Sequence, residues 1–332
     1  MSTPAEPQMR TFTGEPEADG TNVREWFERR SFHHSEFDDI AHLADQKNRA
    51  GVSVTLVLPT RNVADTIGTV LSKLTVLTTG GTPIVDQVIV VDADSPDGTA
   101  EIARSYGVDV YSENQLLPRY GTALGKGDAM WRSLTAASGD IIAFADADSK
   151  NFATHFVVGT IAPLLLEPDV HFVKAAYRRP FSEGAQSRPQ GGGRVTELTA
   201  KPLFNLFFPE LAGFVQPLAG EFAGTRELLF SVPFFTGYGV EAGILIDAAE
   251  QVGLKAMAQV DLGVRLNRHQ SLTDLGRMSY AILRTVLHRA DAAGGGLHHA
   301  GPYLHAVAQA DGLHLNEYLE ELVERPPMRT LA

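Results

Sequence analysis

Apolar and polar positions follow more than one rhythm along this chain. In Val52-Ser53-Val54-Thr55-Leu56-Val57-Leu58 the residues are aliphatic or β-branched almost without interruption, and Pro59 ends the run. Such a run predicts a strand covered on both faces, as in a parallel sheet, rather than the strict alternation of a half-exposed strand. Residues 64–74 carry a helical pattern, and 85–92 repeat the apolar run as a second strand. Asp94-Ser95-Pro96-Asp97-Gly98-Thr99 is a cluster of turn formers leading into a helix over 99–106. A short strand at 108–111, a helix over 126–138 and a strand at 141–145, ending at Asp146, complete the block. Strands and helices alternating at this spacing predict an α/β fold with an open, mostly parallel sheet, in which ligands bind beyond the carboxyl ends of the strands.

Outside this block, which spans 51–150, the rhythm is helical or broken. Residues 1–22 are polar and read as a flexible arm. Helices are predicted at 23–32 and 36–48, the second with Phe37, Ile40 and Leu43 at helical spacing, so 23–50 form an N-terminal helical extension. A further region, 151–293, mixes apolar helices with glycine-rich turns: a helix at 153–166, a strand at 171–177, a loop at 184–193, a helix from about Arg194, and helices at 240–252 and 272–292. Gly294-Gly295-Gly296 reads as a hinge before a terminal segment, 294–332, whose helix over 316–324 stops at Pro326-Pro327 and which caps the site or a partner subunit.

Composition narrows the class of function. With 332 residues and a 44% hydrophobic fraction the chain has ample material for a core. A formal net charge of -12 sets the averaged field against nucleic acid and anionic membranes, so an anionic small substrate requires a local basic pocket. Absence of cysteine removes disulfides and thiolate chemistry and fits a reducing cytoplasm. The N-terminus has no apolar core of a signal peptide, and no apolar run approaches the ~18–20 residues needed to cross a bilayer.

The candidate chemistry lies at the predicted strand ends. Two Asp-Ala-Asp triplets, Asp92–Asp94 and Asp146–Asp148, each follow a strand. The first opens a turn into a helix, where Asp92 is suited to accept hydrogen bonds from a base or ribose. In the second, Asp146, Ala147 and Asp148 begin a loop where carboxylates can hold a hard divalent cation, Mg²⁺ or Mn²⁺, against the diphosphate of a departing nucleotide. Gly125-Lys126-Gly127 precedes a helix and can approach phosphate, but neither a Walker A spacing nor a Gly-x-Gly-x-x-Gly is present. Gly191-Gly192-Gly193-Arg194-Val195-Thr196 forms an anion site, strengthened by Lys174, Arg178 and Arg179. Tyr238-Gly239-Val240-Glu241 places a carboxylate at a helix start, suited to orient an acceptor hydroxyl or take its proton. In Arg265-Leu266-Asn267-Arg268-His269, Arg265 or Arg268 can meet phosphate and His269 can meet a metal. A sugar-nucleotide pyrophosphorylase would need a Gly-rich basic loop that is absent after Leu58, and a non-catalytic sugar-nucleotide-binding regulator would not need the acidic and acceptor motifs together.

These segments, with Trp131-Arg132-Ser133-Leu134, Tyr177-Arg178-Arg179-Pro180, Leu262-Gly263-Val264-Arg265 and Arg325-Pro326-Pro327-Met328, resemble the retaining glucosyl- and mannosyl-3-phosphoglycerate synthases from about Val52 to Met328. The resemblance implies a GT-A-type, Rossmann-like nucleotide-binding sheet over 51–150 with an appended acceptor-binding region over 151–293. It implies donor contacts at Pro59, Thr60, Asn62, Ala93, Lys126 and Asp146, metal on Asp148, and 3-phosphoglycerate on Gly193, Arg194 and Thr196 beside Tyr238, with Glu241 next to the reacting centre. A retained anomeric configuration and a homodimer follow from the same resemblance. Two departures bear on substrate: glucosyl members usually carry Asn-Glu at Asn62-Val63, and a metal-binding His where Asn267 stands, with His269 two places on. The loss of the carboxylate implies a different or broader base preference, and similarity to the bacterial mannosyl members implies GDP-mannose as donor, with glucose donors also used; the alternative is UDP-glucose.

Overall fold

The computed structural model describes residues 23–80, 83–183, 186–188, 192–266, 270–290, 303–309, 312–318 and 323–331; the arm over 1–22 and the Gly294–Gly296 hinge lie outside them. Its strands in chain order are β1 (Ser31–His33), β2 (Val54–Thr60), β3 (Gln87–Asp92), β4 (Asp109–Ser112), β5 (Ile141–Phe144), β6 (Phe172–Arg178), β7 (Phe181–Glu183), β8 (Gln186–Arg188), β9 (Phe222–Thr225), β10 (Phe234–Phe235), β11 (Met257–Val264), β12 (Tyr303–Gln309), β13 (Gly312–Tyr318) and β14 (Glu324–Arg325). The helices are α1 (Val23–Arg30), α2 (Ile40–Ala50), α3 (Ala64–Thr78), α4 (Thr99–Ser105), α5 (Lys126–Ser133), α6 (His155–Leu166), α7 (Lys201–Phe207), α8 (Arg226–Ser231), α9 (Val240–Val252) and α10 (Leu272–Ala290).

Eight strands form the central sheet in the order β1-β11-β6-β9-β5-β2-β3-β4. Every pair is parallel except those of β9, which runs antiparallel between β5 and β6. The unbroken apolar run of β2 is explained by two cores. Leu56 and Leu58 pack with α3 and α6 on one face, whereas Val57 packs with α5 and α9 on the other. On β3, Val88 and Val90 divide from Ile89 and Val91 in the same way. Burying both faces stabilises the strands by roughly 1.5–3 kcal/mol per large side chain, and it leaves their carboxyl ends as the place where polar groups emerge.

The α/β expectation holds, and the sheet is wider than the sequence indicates. The chain leaves helix at Arg30, and Ser31–His33 join the sheet edge beside β11, so the N-terminal extension is not purely helical. Long-range bonds fix that exit: the Trp26 indole donates to the Met257 carbonyl at 2.8 Å, and Arg30 pairs with Glu167 and Asp169. β6, β9 and β11, from the region expected to bind acceptor, continue the sheet begun by β2–β5. α5 ends at Ser133 rather than 138, and Ser138 instead donates through N and Oγ to Gln87 Oε1. The expected loop at 184–193 contains the end of a hairpin, β7 with β8. The described residues of the helix expected over 316–324 are not helical: Asn316–Tyr318 close β13, which pairs antiparallel with β12, and Glu324–Arg325 pair with Phe234–Phe235. Arg325 explains the last of these. Its guanidinium makes a two-point contact with Asp128 at 3.0 and 2.7 Å, and Trp131 Nε1 donates to the Pro326 carbonyl at 2.9 Å, clasping the terminal segment to α5. Among the described residues no helix is long and apolar enough to cross a membrane.

Candidate active site

The carboxyl ends of β2, β3 and β5, the start of α5 and the start of α9 enclose a cleft of about 820 Å³. At its floor stands an alternating ladder of charge. Lys126 Nζ lies 2.6 Å from Asp146 Oδ1 and 2.8 Å from Glu241 Oε1. The other oxygen of Asp146 accepts from Arg265 at 2.9 Å, and the same guanidinium reaches Asp148 Oδ1 at 3.3 Å and Glu221. Tyr177 OH, held by Arg265 at 3.1 Å and Arg179 at 2.9 Å, donates to Glu221 at 3.2 Å.

Local structure places each member. Gly125 has φ +82°, which turns the chain into α5 so that Lys126 opens the helix facing the carboxylates. A Cβ at Gly127 would strike the Phe235 carbonyl oxygen, so α5 packs directly on β10 and brings Lys126 to Glu241. Asp146 follows β5, and Arg265 follows β11, its backbone N–H donating to the Arg178 carbonyl at 3.0 Å. Burial alone would raise Asp146, but Lys126 and Arg265 hold its carboxyl well below the usual range. Burial alone would lower Lys126, and Asp146 and Glu241 hold it above its ordinary value. Burial pushes Glu221 up against the opposing pull of Arg265. The floor is therefore charged and pre-arranged.

The donor set at Asp148 fits a divalent cation. Both oxygens of Asp146 are occupied by cations, whereas the Asp148 side chain is 42% exposed and among the described residues pairs only with Arg265, which leaves an oxygen for a hard ion. The expected additional ligands, Asn267 and His269, lie outside the described residues, as does Arg268. The chain does enter that segment beside Asp148: Leu266 N donates to Asn151 Oδ1 at 2.9 Å, Lys150 N to the Leu266 carbonyl at 3.2 Å, and Asn151 Nδ2 to the Val264 carbonyl at 2.7 Å.

Other sequence-derived candidates divide into those on the cleft and those off it. Pro59, Thr60, Ala93, Ala147, Gly193, Arg194, Thr196 and Tyr238 line it. Gly193, at φ +71°, and the following helical residues direct the start of a π-turn, Thr196–Ala200, towards the cavity; Arg194 Nη2 donates to the Gln270 carbonyl at 3.2 Å. Gly191 is outside the described residues. Asp92 does not face the cleft. It is buried and accepts from Ser95 N at 2.7 Å, Ser95 Oγ at 2.8 Å and Thr60 Oγ1 at 3.0 Å, so its carboxylate fastens the turn after β3 to the end of β2 instead of serving a nucleoside. Asn62 sits at φ +53° with its N–H on Ser95 Oγ at 2.9 Å, and the adjacent Val63 lines the cleft in its place. Lys174 is a correction of another kind. It is fully buried on β6, 4.8 Å over the Phe222 ring, and burial lowers its ammonium to about 7, so it belongs to the core and not to the glycine-loop anion site.

Sequence reading missed Glu221, Gly220 and Glu113 and gave Tyr177 no role at the site. Glu221, Gly220 and Tyr177 depend on β9 or on distant partners, and Glu113 follows β4 without a recognisable motif. Gly220 provides a direct test of the ladder. A Cβ there would lie 2.5 Å from both Asp146 oxygens and against Lys126 Nζ. Gly220→Ala is expected to lower turnover about tenfold by displacing the Lys126–Asp146 pair; steady-state rates beside an unchanged thermal midpoint would confirm it, and full activity would show that the pair can shift without consequence.

The sequence pattern described as "Glycosyl transferase family 2" matches residues 55–230. The chain is 43% identical over 266 residues to the glucosyl-3-phosphoglycerate synthase of Petrotoga mobilis, covering 80% of this chain and 82% of that one. It is 43% identical over 283 residues to the enzyme of the same description from Mycolicibacterium smegmatis, with 85% and 91% covered. Among solved structures it is similar to mannosyl-3-phosphoglycerate synthase from Rubrobacter xylanophilus, at 53% identity and TM-score 0.86 over 93% of this chain and 98% of that one. Glucosyl-3-phosphoglycerate synthase from Mycobacterium tuberculosis, in complex with Mn²⁺, UDP and phosphoglyceric acid, aligns at 38% identity and TM-score 0.81, covering 91% and 99%.

Proposed function

This chain belongs to the glucosyl- and mannosyl-3-phosphoglycerate synthases of glycosyl transferase family 2, and on that premise we propose that it moves mannose from GDP-mannose to the C2 hydroxyl of 3-phosphoglycerate with retention at the anomeric carbon. The observation that carries the reading is the charge ladder Glu241–Lys126–Asp146–Arg265–Asp148 at the centre of one cleft, between the β2–β4 end and the Gly193–Thr196 helix start. Lys126 and Arg265 are the cations for the donor diphosphate. Arg194 and the N–H groups at the Gly193–Thr196 helix start bind the phosphate of the acceptor. Glu241, on the first turn of α9, orients the acceptor hydroxyl towards the face from which the diphosphate leaves.

Asp148 would hold a divalent cation, with Asn267 or His269 as the further candidate ligand from the sequence, and the Mn²⁺- and Mg²⁺-containing relatives give chemical precedent. When bound, that ion offsets the negative charge that grows on the departing nucleoside diphosphate. The ladder's own task is to keep Asp146 occupied by Lys126 and Arg265, so that both cations remain at the floor before substrate arrives. Preorganised charge of this kind avoids reorganisation during bond breaking.

Mannose and guanine are the finer part of the proposal. They are supported by the 53% identity to a mannosyl enzyme and by Val63, which stands on the cleft where glucosyl members usually carry Glu. A second reading, glucosyl transfer from UDP-glucose, is favoured by the curated relatives at 43% identity. A panel of GDP-mannose, GDP-glucose and UDP-glucose with 3-phosphoglycerate decides between them. The expected outcome is fastest product formation with GDP-mannose, abolished by EDTA and restored by Mn²⁺ or Mg²⁺. Fastest turnover of UDP-glucose would favour the second reading, and no turnover with any donor would remove both.

A further inference from the structure

Part of the cleft has no role in the reading above. Its lining includes Val91 and Ala93, at and just after the end of β3, Ala123 and Leu124, before α5, and Arg61 and Glu113. Ala123 and Leu124 are held in place. Leu124 N donates to Asp128 Oδ2 at 2.9 Å, the Leu124 carbonyl accepts from Gly237 N at 3.0 Å, and Ala123 N donates to Asn114 Oδ1 at 2.8 Å. Apolar lining of this kind suits the faces of a planar ring and leaves recognition to the polar groups beside it. Glu113 supplies the carboxylate there. It stands just after β4 with its backbone fixed, N–H to the Asp92 carbonyl at 2.9 Å and carbonyl accepting from Arg132 Nη1 at 3.4 Å. Glu113 lines the cleft, and among the described residues no hydrogen bond or ion pair engages its side chain, so its two acceptor oxygens are uncommitted.

We propose that Glu113 is the residue through which this chain reads the nucleobase of its donor, its carboxylate accepting from the N1–H and 2-amino groups of guanine. The argument is one of donor and acceptor order. Guanine presents two adjacent donors, N1–H and N2–H, which the two oxygens of one ionised carboxyl match. Uracil presents acceptor, donor, acceptor, so an ionised carboxyl that takes N3–H sets its second oxygen against a carbonyl. Adenine and cytosine each offer a single donor on that edge. A protonated carboxyl, by contrast, fits uracil, its carbonyl accepting from N3–H and its hydroxyl donating to O4.

The surroundings of Glu113 make that second state accessible. Burial, then the charge of Asp94, push its carboxyl up to about 7; Arg61 and Arg132 pull it down, and Asp128 adds to the rise. Above neutrality the ionised form favours guanine, and below it the neutral form favours uracil. The ratio of GDP to UDP affinity is therefore set to rise from pH 6 to pH 8. Both nucleotides carry the same diphosphate, whose own titration cancels in the ratio.

The inference rests on the cleft being the nucleotide-sugar site, and the test separates the two. GDP, inosine diphosphate and UDP are titrated by calorimetry with saturating Mn²⁺ at pH 6 and pH 8, using the unsubstituted protein and Glu113→Gln. Inosine diphosphate lacks only the 2-amino group. The expected result is at least roughly tenfold tighter binding of GDP than of inosine diphosphate at pH 8, together with the rise in the GDP-to-UDP ratio. In Glu113→Gln the first preference should fall to about twofold or less and the second become independent of pH, with UDP still bound, which shows an intact site. Equal binding of GDP and inosine diphosphate by the unsubstituted protein, with donor turnover intact, overturns the role of Glu113 alone, as does a preference that persists in Glu113→Gln. Failure of all three nucleotides to bind overturns the donor-site reading and this inference together.

Discussion

Asp148→Asn is expected to lower glycosyl transfer by at least about 10³-fold, the largest effect of any single substitution at the site. The reason lies in what each carboxylate is already doing. Asp146 is held by Lys126 and Arg265 through both oxygens, so it cannot take over as principal ligand without breaking the ladder. Asn keeps the shape of Asp148 and removes the charge on which the proposed ion depends. The substitution should leave the fold intact, because the side chain is 42% exposed and its contact with Arg265, at 3.3 Å, is of the kind worth at most about 1 kcal/mol. Rates measured across a Mn²⁺ titration, with donor binding followed by calorimetry, check this. Turnover within about tenfold of the unsubstituted protein would show that the ion is held elsewhere.

The second large effect is expected from Glu241→Gln. Glu241 is buried at the start of α9 and accepts from Lys126 at 2.8 Å. Its replacement leaves Lys126 with Asp146 at 2.6 Å, so the donor-facing charge pair persists. If Glu241 orients the acceptor hydroxyl, kcat should fall about 10²–10³-fold while the dissociation constant of the donor nucleotide changes by no more than about threefold. A purely structural role for the carboxylate would instead weaken donor binding and kcat together through a displaced Lys126. Single-turnover rates paired with nucleotide titrations separate the two cases, and an unchanged kcat would remove Glu241 from the reacting centre.

The same residues show how differently fold and site are written into the chain. β2, β3 and β5 were legible because both of their faces are covered, which forces a run of apolar residues that needs no partner to be recognised. β1, β9 and β11 were not. β1 is a three-residue edge; β9 is four residues long; β11 carries the buried Gln259, which is satisfied by Ser31 Oγ at 2.9 Å and the Gly213 carbonyl at 3.1 Å. Nothing local announces those partners. The terminal segment was read as helical from its composition, yet long-range pairing to Phe234–Phe235 and the Arg325–Asp128 contact override local propensity there.

By itself the sequence determined the parallel α/β block, the glycine turns before α5 and before the helical turn at Arg194, and the motif residues from which the family resemblance could be drawn. Only tertiary structure decided what two identical triplets do. Asp92-Ala93-Asp94 and Asp146-Ala147-Asp148 each follow a strand, and the local sequence gives both the same claim on a ligand. Asp92 turns inward because Ser95, three residues on, and Thr60 on the neighbouring strand satisfy it. Asp146 stays at the cleft because Arg265, 119 positions away, and Lys126 meet it there. Which carboxylate faces the cleft is set by partners that the fold brings together, hydrogen-bond donors for Asp92 and cations from far along the chain for Asp146, since burying a carboxylate is costly unless donors or cations are placed to satisfy it.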